Sequence, residues 1–477
     1  MSFFGSMTTA ITGIRAQSSA LGYISDNIAN SQTTGFKRTD ASFYDIVTAS
    51  NANFHQPGAV VAKPGFTNTV QGSVDASQVA TNMAVNGEGF FVVSQRVATV
   101  DNNPVFQSVN YYTRRGDFSM DKNGYLVNGG GYYLQGVAID PTTNNPVGDT
   151  PSPIKVNNGF LTANKTTNIG YTANLPNVPQ TAHAATLQYA QGSELLQTAA
   201  EITAGTTFAN DPTGTAAGDG VIQANDEQNF LDRSVSGGAI TAYDGQGNPV
   251  NVQIRWAKTN NAADDAGTGG GDTWVAFYKS DDNATGTAAK WTAIGPSTGP
   301  QTYQFNATGQ LNPAVDTTTI SNLTVDGNNL GNVTLTHGPG NMTQFADNNG
   351  AVSVNKIDQD GYASGELVNV AVGANGRVTG TYTNGKTIDI FQVTLAKFNN
   401  PNGLQKMNGT AFAETQDSGA AIYGGTGDII ASATEASNVD LADEFSKLII
   451  AQQAYTAGTR IITTSDTLIQ ETLNMKR

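Results

Sequence analysis

The three histidines, His55, His183 and His337, are the natural place to look for chemistry, because imidazole titrates near neutrality and often ligates metals. They sit in unrelated contexts and share no ligand spacing with acidic neighbours, so they read as incidental surface residues, with no metal site. The chain has no cysteine, which removes thiolate nucleophiles, thiolate ligands and disulfides together. Serine is plentiful, yet no Gly-x-Ser-x-Gly elbow falls where a strand would meet a helix. Gly87-Glu88-Gly89 is a lone glycine pair with no helix after it to receive a phosphate. Asp358-Gln359-Asp360-Gly361 opens like a calcium loop, but its glycine arrives two positions early and Glu366 stands ninth instead of twelfth, so a β-turn is the better reading. The acidic pairs Asp264-Asp265 and Asp281-Asp282 lie in polar loops and read as solvated faces. We therefore expect no catalytic residue, no cofactor and no metal: the chain is not an enzyme.

Composition points the same way. Of 477 residues only 13% are charged, while glycine reaches 53, which is the profile of turn-rich β structure and not of a disordered chain. A chain this long exceeds one ordinary core, so several domains are expected. The net charge of −15 offers no basic face for phosphates, which argues against nucleic acid as a partner. No apolar run is long enough to span a bilayer, so no membrane insertion is expected. The opening residues Met1 to Met7 lack the basic, apolar and small-residue regions of a cleaved signal peptide.

What remains informative is apolar spacing at the two ends. Met7, Ile14, Leu21 and Ile28 recur every seven residues, with Ile11 at the offset position. Leu441, Leu448, Tyr455, Ile462 and Ile469 repeat the pattern, with Phe445 and Leu473 offset. Such a repeat makes a narrow helical seam that must meet another helix to leave water. It predicts a first helix from about Ser6 to Ile28 and a last helix opening near Asp440, which can cap it, and running to about Met475. Two readings are open: the two helices bury each other as a simple hairpin in the monomer, or many copies bundle their termini into one shared core.

Between the ends the period changes to two. Met83 to Val93, Tyr111 to Met120 and Tyr125 to Val127 read as strands, with a turn at Asp121-Lys122-Asn123-Gly124. Val250, Val252, Ile254 and Trp256 alternate with polar residues, and Trp274, Ala276 and Tyr278 alternate with Val275 and Phe277; both read as half-buried strands. Gly365 to Val368 and Ile388 to Val393 resume the pattern, while Phe36 to about Val70, with Pro57, Pro64 and few regular periods, reads as an ordered connector whose aromatics pack on something nearby. The expected fold is mixed and mainly β: a helical N- and C-terminal coiled-coil stem (residues 1–30 and 438–477), a connector (31–70), and nested antiparallel β domains, an inner one (71–158 and 355–437) and an outer one (159–354).

These residues also carry a resemblance. Leu21-Gly22-Tyr23-Ile24-Ser25-Asp26-Asn27-Ile28-Ala29-Asn30 with Thr33-Thr34-Gly35-Phe36-Lys37-Arg38 resembles the N-terminal motif of bacterial flagellar rod and hook proteins. Ser437 to Phe445 and Gln452-Gln453-Ala454-Tyr455 resemble that family's C-terminal motif, and Asn86 to Phe91, Tyr112 to Phe118 and Gly124 to Val127 its inner β domain. The long middle insertion, with Ala242 to Asn248, Gln304 to Gly309 and Asp360 to Gly365, is similar to the outer domain of the family's hook members, though Gly245-Gln246 departs from the expected Ser-Leu.

The resemblance implies a structural hook subunit that self-assembles into a curved hollow tube and passes torque from rod to filament as a universal joint. The alternatives are a distal rod protein or, further off, a secreted β-rich adhesin or glycan hydrolase. It implies a helical homopolymer whose partners are the distal rod protein, the hook cap, the hook–filament junction proteins and the flagellar type III export apparatus. It implies export without a cleaved signal peptide to the extracellular hook of the flagellum. The assembly interface would hold Met7, Ile11, Ile14, Leu21, Ile28, Leu441, Phe445, Leu448, Tyr455, Ile462 and Ile469.

Overall fold

The change of apolar period along the chain, from 3.6 at the ends to 2 between them, sets the architecture. A computed structural model describes residues 3–51, 54–141, 143–157, 159–183, 220–260, 271–424 and 427–475. They are mainly β, framed by helix α1 (Phe3–Ala29) and helix α2 (Leu441–Asn474). The chain divides into two compact units, residues 1–159 with 367–477, and residues 160–366.

Helix α1 begins three residues earlier than the spacing predicts, at Phe3. Helix α2 starts where its cap dictates: the Asp440 carboxylate accepts from the amides of Ala442 (2.8 Å) and Asp443 (3.2 Å), and Asp443 and Glu444 follow in the positive first turn.

The connector is regular β structure, although its sequence shows few regular periods. Residues Thr39–Asn51 (β1) and Phe54–Phe66 (β2) form one long antiparallel ribbon, paired from Thr39 opposite Phe66 to Asn51 opposite Phe54. The prolines that disguised it are absorbed locally, Pro57 by a register irregularity around Val47 and Pro64 on a strand whose outer edge has no ladder to break. The ribbon lies along α1, with the Thr9 hydroxyl donating to the Gly58 carbonyl (2.8 Å) and the Val60 amide donating to the Thr12 hydroxyl (3.3 Å).

The rest of the first unit is mainly a curled antiparallel sheet, with two further two-stranded sheets (Met83–Asn86 with Asp428–Ala431, and Val74–Ala76 with Ala433–Glu435). The main path of the curled sheet runs through Leu367–Val372, Arg377–Tyr382, Thr387–Val393, Tyr132–Ala138, Phe90–Val100 and Asn103–Thr113. The unbroken run Phe90-Phe91-Val92-Val93 is buried on both faces. Phe91 and Val93 pack with Leu126, Leu134 and Val378, while Phe90 and Val92 pack with Tyr112, Phe398 and Phe412.

In the second unit, two sheets share one core of Ile169, Tyr171, Trp256, Trp274, Tyr303 and Leu335. Two expectations need correcting here. Strand Asp272–Lys279 is not half-buried: Trp274 and Ala276 face the shared core, while Val275 and Phe277 are covered by Phe230 of the short helix Glu227–Asp232 and by Trp291. Nor is the β structure wholly antiparallel, since Asn168–Asn174 pairs in parallel with Asn328–Thr336 and with Met342–Thr343. The segments entering and leaving this unit bridge side by side at Leu161 and Gly365 (2.8 and 3.1 Å).

Candidate assembly surface

Helices α1 and α2 pack together through small residues. On α2, Glu444, Ala451 and Ser465 are buried, and Gly458 completes a step of seven among them. A β-carbon added at Gly458 would stand 2.7 Å from Cγ1 of Ile14, so the absence of a side chain there sets how closely the helices approach. On α1 the buried positions are Ala10, Ala16, Ala20, Ile24 and Asn27.

The heptad residues flank this seam without filling its centre. Met7, Ile11, Ile14, Leu21, Ile28, Leu448, Ile462 and Ile469 are half-buried, while Leu441, Phe445, Tyr455 and Leu473 are exposed. A second apolar stripe escaped the seven-residue reading. Ile450, Ala454, Ala457, Ile461 and Leu468 follow i, i+4, i+7, i+11, i+18 spacing, and Ile450, Ile461 and Leu468 are exposed. That signal was present in the sequence but lay in a different phase from the heptad.

Polar groups fix the helix pair at its base. The Asn27 amide donates to the carbonyl of Thr39 and to the buried Glu444 carboxylate, both at 3.0 Å, and its oxygen accepts from the Thr39 amide. Lys447 reaches Asp443 (2.8 Å), Asp40 (3.0 Å) and Glu444 (3.1 Å). Burial works against its charge, but these hydrogen bonds outweigh it and hold the ammonium above its ordinary pKa.

Below lies a second anchor, centred on Glu435, whose side chain is fully buried. Its carboxylate accepts from the Lys37 ammonium, from the Gly72 amide (2.9 Å) and from the Arg114 guanidinium (3.4 Å). Arg114 also donates to the carbonyls of Val85 (3.2 Å) and Gly87 (2.7 Å). Burial pushes the pKa values of both Lys37 and Arg114 down, against the pull of Glu435. Lys406 stands beside them over the rings of Phe36 and Phe66 (4.9 and 5.6 Å) and donates to the Lys37 carbonyl (2.6 Å) and the Thr39 hydroxyl (2.7 Å). Burial takes its pKa down to about 8. The motif around Thr33 to Arg38 is thus where both ends of the chain are pinned to the sheet.

The candidate chemistry residues scatter. The acidic pair Asp264-Asp265 and the side chain of His55 lie outside the described residues, and His183 is half-buried. His337 is not a surface residue: it is 2% exposed, its Nδ1 donates to the Tyr171 carbonyl (2.8 Å), and its Nε2 accepts from the Tyr303 hydroxyl (2.9 Å). Its aromatic surroundings explain the burial, since an imidazole with both nitrogens satisfied packs like any other ring. Asp360 receives the amides of Thr167 (2.8 Å) and Asn168 (3.0 Å), so it ties strands together instead of facing an ion. Among the described residues, no group of three or more histidines and carboxylates is placed to hold a metal, and no helix is long and apolar enough to cross a membrane.

Four family models match in chain order. They are described as "Flagella basal body rod protein" (residues 7–37), "Flagellar hook protein FlgE/F/G D1 domain" (84–174), "Flagellar basal body protein FlaE D2 domain" (219–362) and "Flagellar basal body rod FlgEFG protein C-terminal" (430–475). The first and last cover the two helices of the assembly surface. The chain is 28% identical to flagellar hook protein FlgE of Caulobacter vibrioides, across all of both chains. It is also 28% identical to that of Salmonella typhimurium, across 99% of this chain and 100% of the other. Identity to that of Rhizobium meliloti is 27%, again across all of both chains.

Proposed function

Because the chain belongs to the flagellar rod and hook protein family and serves as a hook subunit, we propose that α1 and α2 form the coiled-coil stem of a hollow helical polymer, and that residues 160–366 set its curvature. The observation that carries this reading is apolar surface left over by the helix pair. In the single chain Phe445 is 53% exposed, Ile449 54%, Ile450 65% and Leu473 64%, on a helix whose inner seam is already occupied. Side chains of this kind on several faces of one long helix call for several neighbours. The heptad residues Met7, Ile11, Ile14, Leu21, Ile28, Leu441, Leu448, Tyr455, Ile462 and Ile469 would line those contacts.

A tube that turns while bent must change its neighbour distances once per revolution. Strong, dry contacts in the stem with weak, wet contacts elsewhere would allow that, because shuffled polar contacts through water differ little in energy. The second unit suits the weak role: its core is internal, and its exposed strand positions are mostly Thr and Asn. Full negative charge would also hold off pairing between exposed strand edges. The chain would leave the cell through the flagellar type III export apparatus without a cleaved signal, then assemble under a hook cap between the distal rod and the hook–filament junction.

Excising residues 162–364 between the bridged Leu161 and Gly365, with a short glycine link, tests the division of labour. Tubes that form but lose their curvature support it. Tubes of unchanged shape and flexibility overturn it, and basal bodies ending in truncated rods from a strain lacking the gene would move the protein inward to the rod.

A further inference from the structure

We propose that the groove between α1 and α2 receives the Phe445–Ile449 edge of α2 from a second copy of this chain. This rests on the polymer reading above and adds which surface meets which. The groove measures about 540 Å³ and is lined by Ala10, Gly13, Val60, Ala454, Ala457 and Ile461 among others, with no ionisable side chain in its wall. Its floor is small because Gly13, Ala10, Ala454 and Ala457 present almost no side chain, and Gly458 beside them draws the helices close. An occupant must therefore be apolar and must protrude.

The same helix carries such a feature. Phe445 and Ile449 are one turn apart and stand more than half exposed. Nine residues separate Phe445 from Ala454, which is about two and a half turns, so edge and groove face opposite sides of α2. A chain cannot fill its own groove with its own edge. When two copies join by one edge in one groove, a free edge and a free groove remain at the two ends. A contact of this kind is heterologous, so it propagates from copy to copy, as a ring where the rotation closes and as the open helical array of the polymer reading where it does not. The occupant is thus a second copy: edge and groove lie on one helix, and pairing them satisfies both.

The chain has no cysteine, which makes the contact directly readable. Hooks assembled from the double variant Phe445→Cys/Ala457→Cys and oxidised with copper phenanthroline give a ladder of multimers on a non-reducing gel. Each single variant gives at most a trace of dimer. Tubes seen by electron microscopy that yield no ladder overturn the pairing while leaving the polymer reading intact; failure of the unsubstituted chain to form tubes is failure of the polymer reading. A charge pair gives a second readout where cysteines disturb assembly. Ile449→Lys and Ala457→Glu each cut hook number at least tenfold, and together they restore most of it. A double variant as defective as either single one overturns the proposal.

Discussion

Replacing Glu435 by leucine should cost the first unit most of its margin of stability. The substitution removes the one carboxylate that Lys37 and Arg114 share, and it orphans the Gly72 amide. Lys37 and Arg114 are buried, so water cannot replace what these two lose. Breaking a buried ion pair from one side costs about 3–5 kcal/mol. The amide adds to this, while Lys37 gives some back by shedding a proton, since burial has already lowered its pKa. For a unit of this size the midpoint falls by ~6–20 °C. The assay has an internal control, because all three tryptophans, Trp256, Trp274 and Trp291, lie in the 160–366 unit. Calorimetry of monomeric Glu435→Leu should show one transition moved down, while the tryptophan fluorescence transition stays in place. Lys37→Met/Glu435→Leu should recover part of the loss, because Arg114 keeps the carbonyls of Val85 and Gly87. A loss below ~1 kcal/mol in the single variant would refute the argument that this buried charge is indispensable.

Four shorter expectations follow from the same geometry. Burial holds the His337 pKa below its ordinary 6.5. The unfolded chain therefore binds the proton more readily, stability is complete above pH 6.5, and it declines as pH falls below that value. Tryptophan-monitored melting between pH 5 and 8 should show the slope, and His337→Gln should flatten it. For Lys406 the depressed pKa places the penalty below about pH 8. The first unit should gain stability as pH rises from 8 toward 10, and Lys406→Met should reduce that gain in calorimetry, leaving the part that Lys37 supplies. Tyr171→Phe strips the Trp256 indole N–H and the Gly237 carbonyl of their shared partner and should lower the tryptophan transition by about 3 kcal/mol in denaturant melts. Gly458→Ala should lower hook number modestly, since its β-carbon meets Cγ1 of the β-branched Ile14 and the strain offsets the about 1 kcal/mol that helix propensity returns, whereas Gly458→Val should part the helices and leave cells without hooks by electron microscopy.

Much of the fold was legible because it rests on local signals. The Asp440 cap and the turn after Asp121 with Gly124 at positive φ satisfy themselves within a few residues, and the alternating strand from Val250 to Trp256 marks its buried face by its own pattern. The misreadings share one cause. Prolines hid the β1–β2 ribbon because the sequence does not say that its edges are unpaired. Strand Asp272–Lys279 looked half-buried because the residue covering its other face, Phe230, lies on a separate helix more than forty positions away. His337 looked incidental because Tyr171 and Tyr303 come to it from other strands.

The sequence by itself determined that both ends are helices with apolar surface to spare, that the middle is β, and that the chain has no cysteine. Periodicity and residue type carry that information, since they describe what a segment can bury and which groups it owns. Only the tertiary structure decided which helical face is used inside the chain and which is left for a neighbour. The heptad positions flank the seam, and glycine, alanine and serine fill its centre, because close approach of two helices selects the smallest side chains and not the most apolar ones. It also decided that Lys37 and Glu435, 398 positions apart, meet in a dry pocket with Arg114. No local pattern announces such a pairing, because the charge of each residue is stabilised only by a partner that the fold delivers.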